Sequence, residues 1–84
     1  MRKLFQDIAN HFDAQITSDA PGWSHLHVRD GLVYMYADLR TTEAGERLWV
    51  SIYSDSYCGG FDSRYEVWTL DKIISTYNTE VNCA

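Results

Sequence analysis

The stretch that most constrains the fold is WSHLHVRDGLVYMYADL, residues 23–39, in which two alternating runs meet at Asp30-Gly31. A two-residue Asp-Gly link between runs of period two is a strong hairpin signal, because the tight turn needs a positive φ that glycine adopts without steric cost. With Asp30 and Gly31 in the turn, Arg29 is expected opposite Leu32, Val28 opposite Val33, His27 opposite Tyr34, Leu26 opposite Met35 and His25 opposite Tyr36. Apolar then meets apolar along one face. A third run, Leu48 to Ser54, alternates in the same way, with TTEAG, residues 41–45, as the expected connecting loop.

A three-stranded antiparallel meander follows, and each strand divides its side chains between two faces. The inner set is Leu26, Val28, Val33, Met35, Ala37, Leu39, Leu48, Val50 and Ile52; the outer set is His25, His27, Arg29, Tyr34, Tyr36, Asp38, Trp49, Ser51 and Tyr53. AQIT, residues 14–17, reads as a further short strand, SDAPG as a turn built on Pro21 and Gly22, and RYEVWT, residues 64–69, as a fourth strand.

Outside the sheet the period changes. Leu4, Phe5, Ile8, Ala9 and Phe12 form one stripe of a helix over residues 2–12, the natural cover for the inner face. Leu70, Ile73, Ile74 and Tyr77 mark a C-terminal helix with Thr69 as N-cap and Asp71 in its first turn. The expected fold is α+β: an N-terminal helix, a three- or four-stranded antiparallel meander sheet and a C-terminal helix, in a single compact domain over residues 1–84. Periodicity does not assign the C-terminal helix to a face, so the aromatic outer set is either a second small core or an open surface.

Eighty-four residues, 45% of them hydrophobic, suffice for one core but leave little room for an enclosed active site. The formal charge of −5 and seven scattered Lys and Arg residues argue against direct nucleic-acid binding, which needs clustered cations to neutralise phosphates. MRKLFQDIANHF lacks the apolar run of a signal peptide, and no 18-residue apolar stretch occurs, so a cytoplasmic chain with no membrane partner is expected. In that compartment Cys58 and Cys83 are expected as free thiols.

Motifs for chemistry are sparse. His25 and His27 point the same way from one strand and could hold a metal with Cys58, Asp38 or His11, but no motif with metal-ligand spacing accompanies them. Cys58 in SYCGGF has neighbouring glycines able to supply backbone donors, yet no base accompanies it. Asp55 and Asp62 do not have the ligand spacing of a calcium loop. No catalytic residue, cofactor or metal is therefore assigned.

The expected function is recognition. Tyr, Trp and Arg dominate protein-protein hot spots, and an acidic chain of this size is of the physical type of a stoichiometric inhibitor. Phage anti-CRISPR proteins and immunity proteins against nuclease toxins share that size and charge. The expected partner is a larger protein with a basic surface, such as a nuclease or CRISPR-type complex. Tyr34, Tyr36, Trp49 and Tyr53 would be the anchors, with Asp38, Glu43, Glu46, Asp55 and Asp62 meeting its Lys or Arg. The alternatives are a homodimer through the aromatic faces, with an immunity-type or structural role, and a metal or small-ligand site at His25 and His27.

Overall fold

Helix α1, Arg2–Phe12, buries Phe5, Ile8 and Ala9 and leaves Lys3, Gln6 and Asn10 exposed. It stops because Asp13 adopts a left-handed conformation, φ 52°, which lets the Ala14 N–H donate to the Ala9 carbonyl at 2.9 Å. Aspartate tolerates that region better than most residues, and the Ala9 carbonyl accepts both the Asp13 and the Ala14 N–H at the helix end. The computed structural model describes residues 1–54, 61–64 and 69–83, the last of these closing with helix α2, Leu70–Cys83. Thr69 caps α2 by accepting the Lys72 N–H on its hydroxyl at 3.2 Å.

Between the helices lie β1 (Thr17–Ala20), β2 (Trp23–Asp30), β3 (Val33–Thr42), β4 (Gly45–Ser54) and β5 (Phe61–Arg64). They form one antiparallel meander in the order β1-β2-β3-β4-β5. The α+β architecture of helix, meander and helix is thus as the periodicities imply, with a four-residue strand at each edge; the first is Thr17–Ala20 rather than AQIT, so residues 18–20 of SDAPG continue the strand and only Pro21 and Gly22 turn. Residues 65–68, most of the expected strand RYEVWT, lie outside the described residues.

The first hairpin turns one residue later than Asp30-Gly31. Asp30 pairs with Val33, Arg29 with Tyr34, Val28 with Met35, His27 with Tyr36, Leu26 with Ala37 and His25 with Asp38. Gly31, φ 63°, and Leu32 make the turn, and of these two only the glycine has positive φ. An Asp-Gly turn of the type expected needs positive φ at both central residues, whereas a Gly-first turn needs it only at the glycine. The strands slip by two residues relative to the expected pairing, an even number, so the two faces keep their membership.

The second hairpin is also tighter than TTEAG suggests. Thr41 pairs with Glu46 and Thr42 with Gly45, leaving Glu43 and Ala44 as the turn. β-branched threonines continue the strand, and the Thr42 hydroxyl both accepts the Ala44 N–H at 3.2 Å and donates to the Gly45 carbonyl at 2.8 Å. At the β1–β2 turn Pro21 precedes Gly22, φ 74°, the order that a type II turn requires.

Helix α2 packs against β3 and β4, helix α1 packs against β3, and the two helices pack against each other. Phe5, Ile8, Ala9, Ile73 and Tyr77 meet Leu26, Val33, Met35, Ala37, Leu39, Leu48, Val50 and Ile52 in one core, with Val28 half-buried at its margin. One sheet face thus receives every described helix. The other face receives none.

Candidate functional site

The uncovered face is built by strand alternation from rows of directly opposed residues. Trp23, Arg40 and Arg47 form the row nearest the β3–β4 turn. Thr17, His25, Asp38 and Trp49 form the next, followed by His27, Tyr36 and Ser51, and then by Arg29, Tyr34 and Tyr53. Because the pleat sends alternate residues the same way, each strand delivers its aromatic or charged set to this side.

The rings pack on one another. His27 stacks on Tyr36, centroids 4.7 Å apart and planes 18° apart, and Tyr34 stacks on Tyr53 at 5.4 Å and 27°. Tyr34 and Tyr36 meet edge to face at 5.7 Å, which joins the two stacks into one cluster. Arg29 lies over the Tyr34 ring at 5.5 Å. Cross-strand aromatic pairs of this kind hold side-chain positions at modest energy, so the surface is shaped before any partner arrives. Tyr36 remains 43% exposed at its centre.

A second cluster surrounds Arg40. Its guanidinium carbon lies 4.4 Å from the Trp23 ring centroid and 5.6 Å from that of Trp49, placing the cation against two indoles. The Trp23 indole N–H donates to Asp38 Oδ1 at 3.2 Å, which fixes the ring over Arg40. His25, 6.3 Å from Trp23, holds its Nε2 2.9 Å from Asp19 Oδ2, an ion pair when the imidazole is protonated.

The structure brings Tyr34, Tyr36, Asp38, Trp49 and Tyr53 to this one face, but it does not bring the expected carboxylates Glu43 and Glu46 to them. Glu46 stands on the helix side and pairs with Arg2 at 2.7 Å, because its register position opposite Thr41 has the inner parity. Glu43 is exposed in the β3–β4 turn, Asp38 is engaged by Trp23, and Asp62 stands opposite Ser51 in β5. Asp55 and Cys58 lie outside the described residues.

Among the described residues no three His, Cys, Asp or Glu side chains converge as a metal site. His11 packs edge-on to Phe12 at 4.8 Å on α1, across the sheet from His25 and His27, so it cannot complete a ligand set with them. Among the described residues, no helix is long and apolar enough to cross a membrane.

Two participants escape a reading that begins the outer face at His25: Trp23 and Arg40. Both have the outer parity, and carrying the alternation one step further along β2 and β3 finds them. With Arg29 and Arg47, Arg40 makes three arginines, among the described side chains, on one face of an acidic protein. Comparison with protein-family models, with curated proteins and with solved structures finds no match for this chain.

Proposed function

We propose that the chain is a non-catalytic recognition module that docks a larger protein on its open sheet face and acts as a stoichiometric inhibitor of it. One observation carries the reading: a sheet whose described helices both pack on one side presents a pre-packed cluster of Tyr, Trp, His and Arg on the other. Trp23 and Tyr36 are exposed and Tyr34, Trp49 and Tyr53 half-buried on this face, and aromatic surface left to solvent in a chain of 84 residues runs against the need for burial. Tyr, Trp and Arg are the residue types in which interface binding energy concentrates.

The chain's charge of −5 favours a target whose surface is basic overall, such as a nuclease or a CRISPR-type complex in the cytoplasm, since complementary fields steer encounter. In that reading the acidic body guides approach and the open face makes the buried contacts. The test is affinity capture from a bacterial lysate with the wild-type chain, a Tyr36→Ala/Trp49→Ala variant shown by circular dichroism to fold, and a Lys72→Ala control on the helix side. A nucleic-acid-handling protein held one-to-one by wild type and control, released by the face variant, and inhibited when bound supports the reading. Equal retention by all three proteins contradicts it. A wild-type chain that sediments as a dimer, with the variant monomeric, assigns the face to self-association instead.

A further inference from the structure

We infer that Arg40, held between Trp23 and Trp49, is a carboxylate-reading clamp that takes an Asp or Glu side chain from an acidic segment of the protein partner. The inference rests on the recognition reading above and assigns chemistry to one end of the face. An arginine stacked against indoles uses its flat surface for the cation–π contact and keeps its in-plane N–H edge for a planar anion. Here the stem is already ordered by two rings, one of them fixed by the bond from the Trp23 indole to Asp38. Restricting the fork in advance lowers the entropy lost when it pairs with an acceptor. Arg40 is exposed, and its N–H donors meet no acceptor among the described residues.

The neighbourhood repeats the charge. Arg47 stands directly opposite Arg40 on β4 and belongs to the same row. The partner's carboxylate would accept two N–H bonds from Arg40 in the fork geometry that lysine cannot offer.

A nucleic-acid strand also carries anions, but two features favour protein. Base stacking needs free ring faces, whereas His27 and Tyr36, and Tyr34 and Tyr53, already stack on each other, and Arg40 lies on Trp23. A chain of net charge −5 also repels a continuous polyphosphate more strongly than a short acidic segment.

The test is a nitrogen-15 NMR titration of the intact chain, following the Arg40 Nε–H and the Trp23 and Trp49 indole N–H signals. The probes are a capped oligoglutamate peptide, an oligothymidylate strand and an oligolysine control. Saturable shifts at Arg40 and Trp23 with oligoglutamate alone, and about tenfold weaker binding in Arg40→Lys, are expected, since lysine keeps the charge and loses the fork. Tighter binding of oligothymidylate overturns the assignment in favour of nucleic acid, and so does unchanged affinity in Arg40→Lys in favour of unspecific charge. Silence toward both anions makes the stack structural only. If Tyr36→Ala/Trp49→Ala releases the captured partner while oligoglutamate leaves Arg40 unmoved, the clamp fails and the recognition reading stands. If oligoglutamate binds at Arg40 but the face variant keeps its partner, the recognition reading fails alone.

Discussion

Trp23 and Arg40 stand directly opposite each other on β2 and β3, and the indole that covers the guanidinium at 4.4 Å also donates its N–H to Asp38, two residues from Arg40 along the same strand. A cation, an aromatic ring and a carboxylate are thereby coupled at the surface. Replacing Arg40 with Ala removes two ring contacts from an exposed site and is expected to cost about 1 kcal/mol in urea unfolding. The indole N–H signal of Trp23 should move with it; an unmoved signal would show that the ring is held by Asp38 alone.

The two faces of β3 predict opposite outcomes from neighbouring substitutions. Met35 is fully buried beneath the helices, and Met35→Ala should destabilise by roughly 2–5 kcal/mol through lost contacts and a residual cavity. Tyr36→Ala, one residue on, loses only surface ring contacts and should cost about 1 kcal/mol. Comparable losses at the two positions, measured by denaturant unfolding, would mean that the aromatic face is a core.

Much of this arrangement is legible in the residues. Period two from Leu26 to Ile52 separates the faces correctly because a shift of two residues in pairing leaves side-chain parity intact. The pairing itself was harder to read: Asp30-Gly31 and Gly31-Leu32 both offer the glycine a turn needs, and only backbone φ separates them. Nor does the apolar stripe of α2 say which face it covers. Ile73 and Tyr77 join the core beside Phe5 and Ile8, a choice made by the space between two helices and the sheet. Glu46 stands apart from the aromatic face for a related reason: in a hairpin its charge looks unremarkable, while its parity directs it to Arg2.

Gly31 carries its own prediction. Its φ of 63° is unfavourable for a residue with a Cβ, although nothing lies within 4 Å of where that atom would stand. Gly31→Ala should therefore lower stability by about 1 kcal/mol through backbone strain alone. No change in the unfolding midpoint would contradict the Gly-first turn.

Tyr77 predicts an alkaline response. Burial, with a smaller push from the Asp30 carboxylate, holds its phenol above the ordinary 10.0, so the folded state favours the neutral form. The folded chain then retains a proton that the unfolded chain releases: stability is level below pH 10, falls as pH rises above it and levels off only above the folded pKa. The hydroxyl has no hydrogen-bond partner among the described residues. Tyr77→Phe should accordingly flatten the alkaline loss and raise stability near neutral pH by about 1 kcal/mol, because it removes an unsatisfied buried group. An unchanged pH profile in the phenylalanine variant would assign the loss to other groups.

The central claim is that the open sheet face is the binding surface. Its most direct measurement is calorimetric titration of the purified partner with wild type, Tyr36→Ala, Trp49→Ala and Lys72→Ala, each first shown to fold. The two face variants should lose at least about 2 kcal/mol of binding free energy, some thirtyfold in affinity, while Lys72→Ala binds as wild type does. Wild-type affinity in both face variants, with binding lost in Lys72→Ala, would place the interface on the helices and contradict the account.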